Sequence, residues 1–111
     1  MKILLRLVLT RTRLVHTGEP IDFYPYYPVH MTHVETEEIQ KIINQNRTEK
    51  NVEEERKNDQ TFEIRWEYTD RSTPEFIRNN YMNNSSPLFV LGKFWYDKNI
   101  IPEFFIEEIP T

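Results

Sequence analysis

The chain has 111 residues, 14 basic and 18 acidic side chains, a net charge of −4, 14% aromatic residues and no cysteine. Its length suits one domain, residues 1–111, around one core. The acid excess argues against a general nucleic-acid binder, and the lack of cysteine excludes disulfides, thiolate catalysis and cysteine-ligated zinc.

Alanine is absent while isoleucine and asparagine are plentiful. Coding rich in A and T produces this bias, which is frequent in phages and viruses and also occurs in free-living organisms. The charge is uneven. Residues 1–34 carry four basic and two acidic side chains, and the remainder carries ten basic and sixteen acidic. No stretch reaches the roughly eighteen apolar residues that span a bilayer. Residues 1–9 lack the cleavage site of a signal peptide. A cytoplasmic location with no membrane contact is expected.

Residues 3–9 read as a strand, with Ile3, Leu5, Leu7 and Leu9 alternating with Leu4, Arg6, Val8 and Thr10. A helix is the rival, because Leu4, Leu5 and Val8 also share a helical face. The β-branched residues Thr10, Thr12 and Val15 favour the strand. Residues 21–30 hold Pro25 and Pro28 among four aromatics, which rules out a regular helix or a central strand. They should form an extended loop whose rings pack on the core.

A helix is expected from near Thr32 or Thr36. Glu37 and Glu38 suit its positive N-terminus, and Ile39, Ile42 and Ile43 form its buried stripe. Residues 44–60 contain one apolar side chain, Val52, and read as a polar helix extension or a mobile loop. Phe62, Ile64, Trp66 and Tyr68 then alternate with Glu63, Arg65 and Glu67, giving an amphipathic strand with one face in water. Thr73 and Pro74 open a short helix with Phe76, Ile77 and Tyr81 inward.

Residues 88–96 are an apolar run expected as a buried strand. A turn at Asp97, Lys98 and Asn99 leads to a last strand over 103–109, with Phe104 and Ile106 on one face and Glu103, Phe105, Glu107 and Ile109 on the other. The fold expected is α+β, in the order β-α-β-α-β-β, with a C-terminal antiparallel hairpin and the helices packed on one face of the sheet.

Isolated Gly18 and Gly92 cannot build a dinucleotide-binding turn or a phosphate-binding loop, and none of the three serines sits in a nucleophile elbow. No cofactor is expected. His30, His33 and Glu37 have spacing that would let them hold a divalent metal, with His16 as a distant third nitrogen; this is the basis for a metal-dependent enzyme. A surface histidine pair near a helix start explains the same residues. Glu63 and Glu67 on one strand face are read as a solvated surface rather than an acid–base pair.

The leading expectation is a non-enzymatic protein-binding module. Tyr, Trp and Arg are enriched at binding hot spots, and Tyr24, Tyr26, Tyr27 and Trp95 are the candidate contacts. An acidic exterior suits a partner with a basic surface, as for a phage or viral inhibitor of a host protein. Self-association through an edge strand is a second form of partner, giving a homodimer. A small nucleic-acid-binding module using Arg11 and Arg13 is the alternative.

Overall fold

Residues 2–11, 37–48, 52–58 and 60–110 are described by the computed structural model. Their elements follow as β1 (Lys2–Arg11), α1 (Glu37–Asn44), β2 (Glu53–Arg56), β3 (Thr61–Tyr68), α2 (Ser72–Asn80), α3 (Phe89–Asp97) and β4 (Ile100–Ile109). The strands form one antiparallel sheet in the order β2-β3-β1-β4. The α+β class is as expected. In chain order α1 falls between β1 and β2, and α2 and α3 fall between β3 and β4.

β1 is a strand because its alternation matches partners on both sides. Leu5 lies opposite Trp66 of β3 and Ile106 of β4, and Leu7 lies opposite Ile64 and Phe104. Ile3, Leu5, Leu7 and Leu9 are fully buried. Ile39 and Ile43 of α1, Ile77 of α2, and Leu88, Leu91 and Trp95 at α3 join the same core. The described helices therefore cover one face of the sheet, and among the described residues its other face carries the charged side chains.

The end of α1 is fastened to β3 and α2. Asn46 takes a left-handed φ of 61° just past the helix, a position where asparagine substitutes for glycine. The Tyr68 hydroxyl accepts from Trp66 Nε1 at 2.7 Å and donates to the Ile43 carbonyl at 2.5 Å. Thr73 Oγ1 donates to the Gln45 carbonyl at 2.8 Å. These bonds satisfy two carbonyls at the helix's C-terminal end. Thr73 was expected to cap α2. The helix begins at Ser72 with Arg71 in the cap position, two residues earlier, and Asp70 Oδ1 accepts from both the backbone N–H and the hydroxyl of Ser72. Phe76, expected inward, is exposed, while Ile77 is buried.

Burial pushes the Tyr68 phenol above its ordinary range, more than the Trp66 donor and the Arg47 charge lower it. A raised native value means that the neutral phenol stabilises the fold. That contribution is complete below the ordinary phenol value of about 10 and is lost as pH rises through the native value. In an alkaline titration, Tyr68 should yield phenolate absorbance only together with loss of the native circular dichroism. Normal ionisation of every tyrosine in a still-folded protein would contradict the buried hydroxyl.

Residues 88–96, expected as a strand, form α3. Leu88, Leu91, Gly92 and Trp95 are buried, and their spacing is helical. Asn99, with φ 58°, follows the helix in the left-handed conformation. With that run helical, the expected C-terminal hairpin does not exist, and β4 pairs with β1. Close packing needs the glycine: a Cβ on Gly92 would collide with the Tyr81 carbonyl oxygen. Alanine favours a helix interior by about 1 kcal/mol over glycine. Gly92→Ala should nonetheless destabilise by about 1–2 kcal/mol, read from the urea midpoint, because overpacking outweighs propensity. A gain in stability would show that α3 does not press on the end of α2.

Part of 44–60 is also different from either expectation. Glu53–Arg56 form β2, and all four residues are exposed. An edge strand with both faces in water needs no apolar alternation. Its support is Arg65, directly across from Glu53 and 3.2 Å from its carboxylate. Residues 49–51 and 59 lie outside the described residues.

Candidate functional site: the open sheet face and the β4 edge

Alternation along four paired strands sets the composition of the open face. Glu53 and Glu55 come from β2; Thr61, Glu63, Arg65 and Glu67 from β3; Lys2, Leu4, Arg6, Val8 and Thr10 from β1; and Ile101, Glu103, Phe105, Glu107 and Ile109 from β4. One row across the sheet reads Glu53, Arg65, Arg6, Phe105, and the next reads Glu55, Glu63, Val8, Glu103.

Arg6 and Arg65 are therefore direct cross-strand neighbours, an unfavourable pairing of like charges. Glu63 resolves it. Its carboxylate accepts from Arg6 Nη1 at 3.1 Å and from Arg65 Nη1, and Lys57 Nζ lies 3.7 Å away. Glu63 is only 3% exposed. The sequence reading of Glu63 as part of a solvated face is thus corrected: three cations from separate parts of the chain enclose it. Lys57 and Arg65 bind Glu55 and hold its carboxyl below the ordinary carboxylate range. Burial works against the Arg65 charge, but Glu53, Glu63 and Glu55 outweigh it and raise its pKa. Arg6 also reaches Glu107 at 3.5 Å, and its guanidinium sits 4.5 Å from the centre of the Phe105 ring.

This network consumes the cations and leaves carboxylates at the margin. Glu103 is exposed, and its carboxylate has no ion pair or hydrogen bond among the described residues. A four-stranded sheet can bind RNA by stacking bases on aromatic rings of one face. Here six glutamates share the open face with Lys2, Arg6, Arg65 and the adjoining Lys57, an acid excess that opposes phosphate. A cavity of about 220 Å³ between α1 and α2 is lined by Ile42, Gln45, Ser72, Thr73 and Phe76. That is below the usual size of a small-molecule site, and the lining has no acid or base.

No protein family, curated protein or solved structure matches this chain. No helix among the described residues is long and apolar enough to cross a membrane.

The residues singled out from sequence are distributed as follows. Trp95, expected at a contact surface, is 1% exposed and packs at 5.6 Å from the Tyr81 ring and 6.0 Å from the Phe104 ring. It is a core residue because α3 turns its 88-91-92-95 face inward. Tyr24, Tyr26 and Tyr27 lie outside the described residues, as do Arg13, His16, His30 and His33. Arg11 ends β1 opposite Ile100, and its backbone N–H donates to the Gln60 carbonyl. Glu37 is exposed at the start of α1. Among the described residues, no three His, Asp or Glu side chains are placed to hold a metal.

Sequence reasoning missed Tyr96, 76% exposed, and the β4 pair Ile101 and Phe105, 51% and 36% exposed. The signal for Ile101 and Phe105 was available in the alternation of β4. For Tyr96 it required the helical register of α3.

Proposed function

We propose that this chain is a non-enzymatic protein-binding module whose open sheet face receives a partner with a basic surface. The observation that carries this reading is the make-up of that face. Glu53, Glu55, Glu63, Glu67, Glu103 and Glu107 outnumber Lys2, Arg6, Arg65 and Lys57, and the exposed Ile101 and Phe105 stand among them at β4. Carboxylates steer a basic partner and reject an acidic one, while apolar side chains supply the contact area that holds it. Inhibition of a nucleic-acid-binding protein, by occupying its basic cleft, is one form of this activity. An origin in a phage or virus and action in the cytoplasm accord with that form.

The test is co-purification of the tagged full chain from its native host. A stoichiometric basic partner, released by salt and lost in a Glu53→Lys/Glu55→Lys double variant, is the expected result. Absence of any stoichiometric partner would remove the reading.

A further inference from the structure

We infer that β4 captures an extended basic segment of the partner by adding it to the sheet as a fifth strand. The inference rests on the protein-binding reading and names the chemistry of its partner.

An edge strand exposes unpaired backbone donors and acceptors, which another strand can satisfy. Among the described residues the sheet has two edges, and they differ. β2 is four residues long, and Glu53, Glu54, Glu55 and Arg56 give it charge at every position. Short, charged edges resist pairing. β4 is ten residues long and pairs with β1 along one side; among the described residues no strand pairs with its other side. Pro102 removes one amide donor near its start, so pairing is expected over residues 103–109.

The side chains of β4 specify what should lie beside it. On the open face they read Ile101, Glu103, Phe105, Glu107 and Ile109, apolar and acidic in strict alternation. Directly opposed residues of neighbouring strands share a face and interact in pairs. A complementary strand carries cations opposite Glu103 and Glu107 and a β-branched or aromatic residue opposite Phe105. Its pattern is cation-x-apolar-x-cation. Glu103 is free to take the first cation, since it has no partner among the described residues.

A second copy of the chain fits poorly. Two β4 strands related by a two-fold axis at Phe105 would place Glu103 opposite Glu107 twice. An axis at Phe104 would set Glu103 against Phe105 and Ile101 against Glu107. Both arrangements gather six glutamates, Glu103, Glu107 and Glu108 from each chain, with no cation of β4 among them. Like charges opposite one another destabilise a strand pair.

The probe is the peptide Thr-Arg-Thr-Val-Thr-Arg-Thr, titrated into the full chain at low salt, with Thr-Thr-Arg-Arg-Val-Thr-Thr as a control of equal composition. The alternating peptide should slow amide exchange over residues 103–109 and bind about tenfold more tightly than the control. Glu103→Lys, at an exposed position with no ion pair among the described residues, should keep the native melting transition and weaken binding about tenfold, as an attractive cross-strand pair becomes repulsive. No binding, equal binding of both peptides, protection confined to other residues, or a dimer with β4 already protected would each overturn the inference. If the peptide fails while the native partner still co-purifies and is lost with Glu53→Lys/Glu55→Lys, the binding module stands and the β4 strand addition falls. If the peptide binds as expected and no native partner appears, the edge captures basic strands and the cellular reading falls.

Discussion

Trp95→Ala should lower the unfolding free energy by about 3–5 kcal/mol, the usual cost of truncating a buried tryptophan. A domain of this size has roughly 5–15 kcal/mol to lose, so the variant should give up a large share of its stability. Trp95 contacts Tyr81 and Phe104, whose rings are themselves 5.2 Å apart. That triangle joins the end of α2, the middle of α3 and the edge strand β4. Removing one corner leaves a cavity that three elements line, and none can collapse without moving the others. The adjacent Tyr96→Ala removes an exposed ring and should change stability by no more than about 0.5 kcal/mol. Urea unfolding followed by circular dichroism measures both. A Trp95→Ala cost below about 1.5 kcal/mol would mean that α3 does not pack through its 88-91-92-95 face.

The same comparison shows why part of the fold was legible and part was not. β1 and β3 could be read because each is half-buried and displays a period of two. Phe62, Ile64, Trp66 and Tyr68 face the helices, and each intervening residue faces the other way. α3 failed because Phe89, Val90, Phe94 and Tyr96 are apolar without being fully buried. They filled the gaps in the helical pattern and made the run resemble a strand. β2 was invisible for the opposite reason: its partner Arg65 is twelve residues away, and a solvated edge strand leaves no periodic mark. The open face was legible in composition but not in arrangement. Glu63, Arg65 and Glu67 were evident as one strand's outer row, whereas Arg6 and Lys57 reach Glu63 only through the register of β1 and the turn after β2. Long-range pairing also put Phe105 and Glu103 on an edge that no described strand pairs, and it is this placement that gives the acidic composition a docking geometry.

Glu63→Gln is the sharpest test of that face. The substitution preserves shape and removes the charge shared by Arg6, Arg65 and Lys57. Removing one partner of a fully buried pair costs about 3–5 kcal/mol, because the remaining charge is stranded. Arg6 and Arg65 keep some access to water, and Glu107, Glu53 and Glu55 stay beside them. The expected loss is therefore about 2–3 kcal/mol, measured by urea unfolding. Lys57→Met, at a more exposed cation, should cost under about 1 kcal/mol. A double variant, Arg6→Leu with Glu63→Leu, should be more stable than Glu63→Leu alone, since it leaves one fewer uncompensated arginine. A loss below about 0.5 kcal/mol for Glu63→Gln would show that water, not Glu63, separates the two arginines. Arg6 also lies against Phe105, so a looser Arg6 reaches the β4 edge. Glu63→Gln should thus lower stability strongly and capture of a basic strand slightly, while Glu103→Lys does the reverse. Opposite responses from two glutamates on one face would separate what holds the sheet together from what it holds.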